Sequence, residues 1–214
     1  MRMTKFGHSC VRLEKDGSAL AIDPGVFSQT AQALDGVAAV LITHEHPDHL
    51  DVAALASAVG ADVTVRAPAP VAAKLAENPA FRGTVTAVGP DEEFGLAGFA
   101  VRTVGGQHAL IHPRIPVVAN VGYLIDGALY HPGDSLIVPT VPVDTALLPI
   151  HAPWSKVGEV IDFAVSLRAR QAFQIHDRLL SEAGLGMVEG HVGRFVAERG
   201  GEFRHLADLE TAEV

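Results

Sequence analysis

Three histidines and two carboxylates fall within six consecutive positions of this 214-residue chain. They follow the apolar run of the segment LITHEHPDHL, at His44, Glu45, His46, Asp48 and His49. Alternate residues of an extended chain point the same way, so His44 and His46 are expected to share one direction. Asp48 and His49 then leave the turn toward a second point. Imidazole nitrogens and carboxylate oxygens in this arrangement suit two divalent ions side by side.

The same segment has a simpler interpretation, a polar loop followed by a helix cap, and for any single histidine that interpretation is the stronger one. Four metal-capable side chains at a strand-to-helix junction favour metal binding instead. The chain has 11 histidines and one cysteine, Cys10. A single cysteine permits neither an internal disulfide nor a thiolate cluster, so a metal site here must use histidine and carboxylate ligands.

The composition is that of a folded, acidic protein. Hydrophobic residues make up 48% and charged residues 19% of the chain, and the formal net charge is −9. Such a chain offers no broad basic surface for nucleic acid or an anionic membrane. The segment MRMTKFGHSC lacks the apolar stretch of a signal peptide, and no apolar run approaches the ~20 residues of a membrane span. We expect a cytoplasmic protein with a small-molecule substrate and no membrane partner; nucleic acid is disfavoured, and the sequence leaves the oligomeric state unknown.

Short strands and helices alternate along the chain in two similar halves. In the first half we predict strands at MTKFGH, CVRLEK, SALAIDP, GVAAVLIT and ADVTVRAP, a hairpin turn at Asp16-Gly17, and helices at DHLDVAALASAV and PVAAKLAENP. Asp48 is expected to cap the first of these helices or to lie in its first turn.

In the second half we predict strands at TVTAVG, EFGLAGFAVRTVG, VVANVGYLIDGALYH, DTALLPI and QAFQIH, and helices at VGEVIDFAVSLRAR and from about Ser181 to Glu198. No linker or short repeat interrupts this alternation. The pattern predicts one compact α/β domain over residues 1–214, with helices outside a pair of sheets.

The segment THEHPDHLD matches the H-x-H-x-D-H signature of the metallo-β-lactamase superfamily, which the chain resembles along nearly its whole length. The segments GHSC, LAIDPG, GGQH, YHPGDS and QIHD match further parts of the family pattern. The GHS opening and the spacing are most similar to the branch of ascorbate-phosphate lactonase-like hydrolases. The resemblance implies a four-layer αββα sandwich of the metallo-β-lactamase type.

The resemblance also implies a set of metal ligands. It puts His44, His46 and His108 on one ion, and it puts Asp48, His49 and His176 on the other, with Asp134 between the two. His108 and Asp134 both lie at glycine-flanked ends of predicted strands, where sites are commonly built. Zinc suits the imidazole-rich set, although manganese or iron would also accept it.

Three choices among the histidines stay open. His112 competes with His108, four residues away in the same segment, and His151 competes with His176. His151 is alternatively a pocket residue that meets the substrate or an ordinary loop residue. His8 is expected beside the metal centre or as a polar residue at a strand end, and His131 as a supporting partner.

The implied chemistry is hydrolysis by a hydroxide that bridges two metals, acting on a small ester, lactone or phosphate-bearing substrate. Asp48 would orient the attacking water, and His8 or His151 would give a proton to the leaving group. The alternatives are a phosphodiesterase or nuclease of the same fold and a non-catalytic metal-binding protein. Three cationic residues close in sequence to the candidate site favour, weakly, an anionic group on the substrate: Arg114, Lys156 and Arg178.

Overall fold

The computed structural model describes residues 1–214 and contains two seven-stranded sheets. The first sheet has the spatial order β14-β1-β2-β3-β4-β5-β6, and its strands are β1 (Arg2–Lys5), β2 (Val11–Lys15), β3 (Ser18–Ile22), β4 (Ala39–Leu41), β5 (Thr64–Ala67), β6 (Thr84–Ala87) and β14 (Thr211–Glu213). The second has the order β13-β12-β11-β10-β9-β8-β7, and its strands are β7 (Glu93–Leu96), β8 (Phe99–Val104), β9 (Gly122–Ile125), β10 (Leu129–His131), β11 (Thr145–Pro149), β12 (Gln171–Ile175) and β13 (Glu202–Arg204).

Five helices cover the outer faces of the sheets: α1 (Thr30–Ala33), α2 (Val52–Ala58), α3 (Ala69–Ala76), α4 (Val157–Leu167) and α5 (Glu182–Glu198). One apolar core lies between the sheets and includes Leu20, Leu41, Tyr123 and Phe173. A second core packs α2 and α3 on the first sheet, and a third packs α4 and α5 on the second. The layers therefore run helix, sheet, sheet, helix, which confirms the αββα prediction.

The hairpin predicted at Asp16-Gly17 joins β2 to β3. Lys15 pairs with Ser18 across a two-residue loop, and φ is +52° at Asp16 and +79° at Gly17. A two-residue loop with φ positive at both positions matches the right-handed twist of the strands it connects.

Several predicted elements differ from the structure. α2 begins at Val52, and its N-cap is Asp51, whose side chain accepts a hydrogen bond of 2.9 Å from the Ala54 N–H. The prediction that Asp48 caps this helix is therefore wrong, and its carboxylate is free for other contacts. The run EFGLAGFAVRTVG forms two strands, because Ala97 and Gly98 turn the chain with positive φ. The short elements α1, β13 and β14 were not predicted; they have three or four residues each, too few for a clear period.

The carboxyl ends of parallel strands meet at one edge of each sheet. In the first sheet, β1, β3 and β4 run in the same direction. In the second, β8, β10, β11 and β12 do so. The loops that leave these strands contain the histidines and carboxylates predicted for the metal site. The fold thus gathers distant segments of the chain at one edge of the sandwich.

The longest helix, α5, is polar along much of its length, and none of the helices has the length and apolar character that crossing a membrane requires. The cellular location stays a prediction.

Candidate metal centre

Two groups of four metal-capable side chains lie at the carboxyl edge of the sheets. One group consists of His44, His46, His108 and Asp134, and the other consists of His8, Asp48, His49 and His176; within each group one ligand atom per residue lies within 4.8 Å of the others. All of these residues are buried except His46 and Asp48, which are half-buried. The structure therefore brings together every residue of the predicted ligand set and adds His8.

Asp134 lies between the two groups. Its Oδ2 atom is 3.2 Å from His108 Nε2 of the first group and 3.3 Å from His176 Nε2 of the second. Its Oδ1 atom is 3.0 Å from His49 Nε2, again in the second group. A single carboxylate thus faces both groups.

The outward nitrogens of three histidines bind oxygen atoms, which fixes the direction of the inward nitrogens. His108 Nδ1 is 2.6 Å from the Ala109 carbonyl oxygen, and His176 Nδ1 is 2.6 Å from that of His151. His49 Nδ1 is 2.7 Å from Asp23 Oδ2. A carbonyl or carboxylate oxygen only accepts, so each Nδ1 carries the hydrogen. In its neutral form each ring then turns the Nε2 lone pair toward the centre, as a metal ligand requires.

The His44 ring is oriented in the same way, by a hydrogen bond to the Thr43 hydroxyl group. Thr43 Oγ1 lies 2.7 Å from Asp23 Oδ2, so the hydroxyl hydrogen is donated to that carboxylate. The hydroxyl oxygen must then accept from His44 Nδ1, which lies 2.9 Å away. His44 Nε2 consequently points inward without a hydrogen, and it lies 3.1 Å from His46 Nδ1. Asp23 therefore supports one imidazole of each group.

Buried polar atoms at the centre lack hydrogen-bond partners. They are His49 Nε2, His176 Nε2 and Asp134 Oδ1. His49 Nε2 and Asp134 Oδ1 lie 3.0 Å apart, yet their directions do not form a hydrogen bond. Unpaired buried polar groups are costly, so their presence points to a missing partner. Converging lone pairs of nitrogen and oxygen fit divalent metal ions.

His8 differs from the other histidines in its hydrogen bonding. Its Nδ1 atom accepts from the Arg178 backbone N–H at 3.4 Å, so in the neutral ring the hydrogen lies on Nε2. That Nε2 atom is 3.2 Å from Asp48 Oδ2. Burial is the main cause that lowers the pKa of His8, which keeps the ring neutral. His8 thus presents an N–H to Asp48, although it lies within the second group.

Three site residues other than glycine have backbone φ angles in the left-handed region: +50° at His8, +51° at Asp23 and +58° at His176. Such conformations are uncommon outside glycine and cluster at functional sites. The strained residues also support one another, because the His176 N–H donates to the His8 carbonyl oxygen at 3.2 Å. This bond connects the loop after β1 to the loop after β12, and hence the first sheet to the second.

Two glycines make room for the ligand loops. A Cβ atom on Gly25 would overlap the backbone of Asp48 and His49. A Cβ atom on Gly133 would collide with the Thr43 side chain, and φ at Gly133 is +62°. Glycine is therefore required at both positions, one behind Asp48 and the other directly before Asp134.

The charges of the centre shift several pKa values in the metal-free protein. Burial opposes protonation of His49 and His176, but nearby carboxylates outweigh it. The charges of Asp134 and Asp23 raise the pKa of His49 well above its ordinary value. The close approach of the Asp134 and Asp48 carboxylates to His176 Nε2, at 3.3 and 3.4 Å, raises the pKa of His176 to about 9. At Asp48 burial favours the neutral acid, yet the adjacent imidazoles of His176 and His8 outweigh it and hold the pKa below its usual range.

The structure gives different surroundings to the three histidines whose roles the sequence left open, His112, His151 and His131. His112 is exposed, and its Nδ1 accepts from the Arg114 N–H at 3.2 Å, away from the cluster. His151 meets the centre only through its backbone carbonyl, which holds His176. His131 supports the site as predicted: its Nε2 donates to the Ser9 carbonyl at 2.8 Å, and its Nδ1 accepts from the Gly133 N–H at 3.1 Å.

Sequence reasoning missed two residues that hold Asp134. Asn120 Oδ1 accepts the Asp134 N–H at 3.0 Å, and Trp154 Nε1 lies 3.0 Å from Asp134 Oδ2. Neither residue stands in a segment with a metal-binding pattern. Trp154 is the only tryptophan of the chain, and its place in the loop after β11 was the one available signal.

A cleft of about 790 Å³ lies elsewhere, against β7, β8 and β9. It is lined by Phe94, Val101, Arg102, Leu124 and Val141 among others. Its lining contains no cluster of histidines or converging carboxylates. The centre described above is therefore the better candidate for a reactive site.

The two facing sheets, their outer helices and the histidine–aspartate cluster at the carboxyl edge define a protein of the metallo-β-lactamase fold. The family model described as "Beta-lactamase superfamily domain" matches residues 2–176. The chain belongs to this superfamily, and the resemblance inferred from its motifs is confirmed.

Known proteins resemble the chain over most of its length. Protein Rv0786c of Mycobacterium tuberculosis is 38% identical over 199 residues, which cover 90% of this chain and 91% of that protein. The UPF0173 metal-dependent hydrolase Atu1317 of Agrobacterium fabrum is 30% identical over 188 residues, covering 77% and 79%. The metallo-β-lactamase fold protein YhfI of Bacillus subtilis superposes with a TM-score of 0.75 at 15% identity, covering 100% and 98%. The family places this chain among the metal-dependent hydrolases of the superfamily.

Proposed function

We propose that the protein hydrolyses a small ester or lactone with an apolar substituent, using two divalent metal ions, with zinc as the favoured metal. The observation that carries the proposal is the shared carboxylate. Asp134 faces four imidazoles from two groups, and its own Oδ1 atom and the Nε2 atoms of His49 and His176 lack hydrogen-bond partners. Such a set would hold His44, His46 and His108 on one ion and Asp48, His49 and His176 on the other.

Two ions held by these residues would supply a water of lowered pKa and an electrophile for the carbonyl oxygen of the substrate. The chain's own residues organise that chemistry. Thr43, Asp23 and the carbonyls of Ala109 and His151 hold the imidazoles in one tautomer. Each ligand is thus oriented before the substrate arrives, which reduces the reorganisation needed during the reaction.

Asp48 and His8 form a pair suited to proton transfer. Asp48 is ionised, because the adjacent imidazoles of His176 and His8 keep its pKa low, and its half-buried side chain can accept a hydrogen bond from an attacking water. His8 Nε2 carries a hydrogen that is directed at Asp48 Oδ2, 3.2 Å away. We assign to Asp48 the orientation of the nucleophilic water, the acceptance of its proton and the delivery of that proton to the leaving group, and to His8 the positioning of Asp48 through its N–H.

The surroundings of the centre favour an apolar substrate. Of the twelve large hydrophobic residues that are exposed, nine lie in loops that leave the carboxyl ends of the parallel strands: Val26, Phe27, Leu110, Ile111, Ile115, Val117, Ile137, Val138 and Leu179. The Phe27 ring lies 5.4 Å from the His8 ring in an edge-on arrangement, which connects this rim to the centre. Exposed apolar residues grouped around a site mark a surface that binds apolar groups.

The cations close to the site give less support to a phosphodiester substrate. Arg178 lies 3.6 Å from Asp208, and Lys156 lies 4.0 Å from Glu159. Their charges are already paired with carboxylates, and the net charge of the chain is −9. A phosphodiesterase or nuclease activity is therefore the second candidate.

A substrate panel with verified zinc content tests the proposal. The panel contains p-nitrophenyl esters of two to eight carbons, lactones with short and long alkyl groups, bis-p-nitrophenyl phosphate and a β-lactam. We expect kcat/KM to rise with acyl length by up to about threefold to fourfold per buried methylene, as roughly 0.8 kcal/mol per CH₂ implies. Faster turnover of the phosphodiester than of every ester would instead favour the second candidate, and no turnover by a protein with two ions would favour a non-catalytic role.

A further inference from the structure

The single tryptophan of the chain contacts the centre through both its N–H and its ring. Trp154 lies in the loop after β11, and its Nε1 atom donates to Asp134 Oδ2 at 3.0 Å. The ring centroid is 5.7 Å from that of His108 and 6.4 Å from that of His176, with edge-on angles of 75° and 71°. Trp154 therefore contacts one candidate ligand of each ion and the carboxylate between them.

The loop holds the indole in place. The Ala152 N–H donates to Ser155 Oγ at 3.1 Å, and the Ser155 N–H donates to the Ala152 carbonyl at 3.1 Å. These reciprocal bonds close a turn around Trp154. In the same loop, the His151 carbonyl oxygen accepts a hydrogen bond of 2.6 Å from His176 Nδ1. The loop therefore also orients the His176 ring.

The Trp154 N–H differs chemically from every other group on Asp134 Oδ2. The imidazoles of His108 and His176 can exchange a hydrogen for a metal ion, whereas an indole N–H only donates hydrogen bonds and does not bind divalent ions. It would stay on the carboxylate when ions occupy the centre. It occupies one acceptor direction of Oδ2 and leaves the other direction, together with the unpartnered Oδ1, for the metals.

We infer that Trp154 is a positioning residue for the bridging carboxylate: its N–H holds Asp134 in the orientation in which both oxygens can serve two ions, and its ring shields that carboxylate from water. This inference rests on the proposed dinuclear centre. Residues that orient a metal ligand through a hydrogen bond typically contribute about 10–100-fold to metal affinity. The tryptophan is also a reporter of the centre, because no other indole contributes to the emission of the protein.

Two measurements on the full chain test the inference. The first is the tryptophan emission of metal-free protein titrated with ZnCl₂, with zinc binding followed in parallel by competition with a chelating dye. The emission should change with each ion bound and level off at two equivalents. Emission that stays constant while the dye reports two bound ions would overturn the inference.

The second measurement compares zinc affinities of variants by the same dye. Trp154→Phe keeps an aromatic ring but removes the N–H, and it should weaken the second ion by about 10–100-fold. Phe27→Leu is the matched control, because Phe27 contacts His8 but not Asp134; it should keep wild-type zinc affinity. Equal affinity in Trp154→Phe and the wild type would overturn the role of Trp154 alone. A wild type that binds no zinc would overturn the proposed function itself.

Discussion

The imidazoles of the centre hold protons that metal ions must displace. His49 and His176 have raised pKa values because carboxylates surround them, with His176 at about 9. His44 has a pKa well below its ordinary value, chiefly because it is buried. In the metal-free protein the carboxylate charges are thus balanced by imidazolium rings, and in the loaded protein by the ions. Positive charge would therefore neutralise the buried carboxylates both without and with metal.

Zinc binding should therefore release protons. At pH 7 both His49 and His176 are protonated in the metal-free protein, and a ligand imidazole must be neutral, so about two protons should leave per two ions. The release should shrink as the pH rises through about 9, where His176 loses its proton without metal. Calorimetric titration with ZnCl₂ in buffers of different ionisation enthalpy measures this number. Zinc binding without proton release at pH 7 would contradict the raised pKa values of His49 and His176.

His8 provides a second prediction at this scale. Because its N–H is directed at Asp48 and positions that carboxylate, His8→Ala should retain both ions while kcat falls by roughly 10²-fold on the best ester of the panel. His112→Gln, on the exposed side of the neighbouring loop, should change neither quantity. Metal analysis and initial rates are the measurements. Loss of one ion in His8→Ala would show that His8 is a ligand and not a positioning residue for Asp48.

At the scale of elements, sequence pattern predicted those parts of the fold that are long or buried. The continuous run before His44 became β4, and the apolar period of residues 157–170 became α4. Pattern could not predict where ligand loops turn, because these loops depend on contacts between distant segments. The cap of α2 shows this: Asp48 and Asp51 are both acceptable caps by composition. Asp51 takes the role because Asp48 is held by His8 and His176.

Gly25 tests how closely these loops must pack. Gly25→Ala places a methyl group against the backbone of Asp48 and His49, so the ligand loop must move. We expect this variant to lose the ion held by Asp48 and His49. Gly158→Ala, in a helix with open space around the added methyl group, is the control and should keep both ions. The measurements are the metal content after reloading and the melting temperature. A Gly25→Ala variant that still binds two ions would refute the packing argument.

At the scale of the whole molecule, the centre connects the two sheets. His44 and His46 leave the first sheet, while His108 and Asp134 leave the second. The other group is divided in the same way: His8, Asp48 and His49 leave the first sheet, and His176 leaves the second. The motif at 44–49 predicted half of this arrangement, since its ligands are close in sequence. The family resemblance was needed for the other half, because no local pattern relates residues that are 59 to 132 positions apart.

Removing the metal should therefore loosen the sandwich as a unit. Each ion that binds only the folded chain contributes about 2.7 kcal/mol at a free concentration 100 times its dissociation constant. We expect chelation with EDTA to lower the melting temperature by several degrees and readdition of zinc to restore it. An unchanged melting temperature after verified metal removal would show that the ions do not join the sheets.

The central claim is that one carboxylate holds two ions together, and Asp134 tests it most directly. A carboxylate between two cations reduces their mutual repulsion, so its loss should cost more than one ligand. The measurement is the zinc stoichiometry of purified, reloaded protein, taken alongside the rate on the best substrate. We predict two ions in the wild type, at most one tightly bound ion and no turnover in Asp134→Ala, and two ions with reduced turnover in Asp134→Glu. Two ions and full activity in Asp134→Ala would contradict the account.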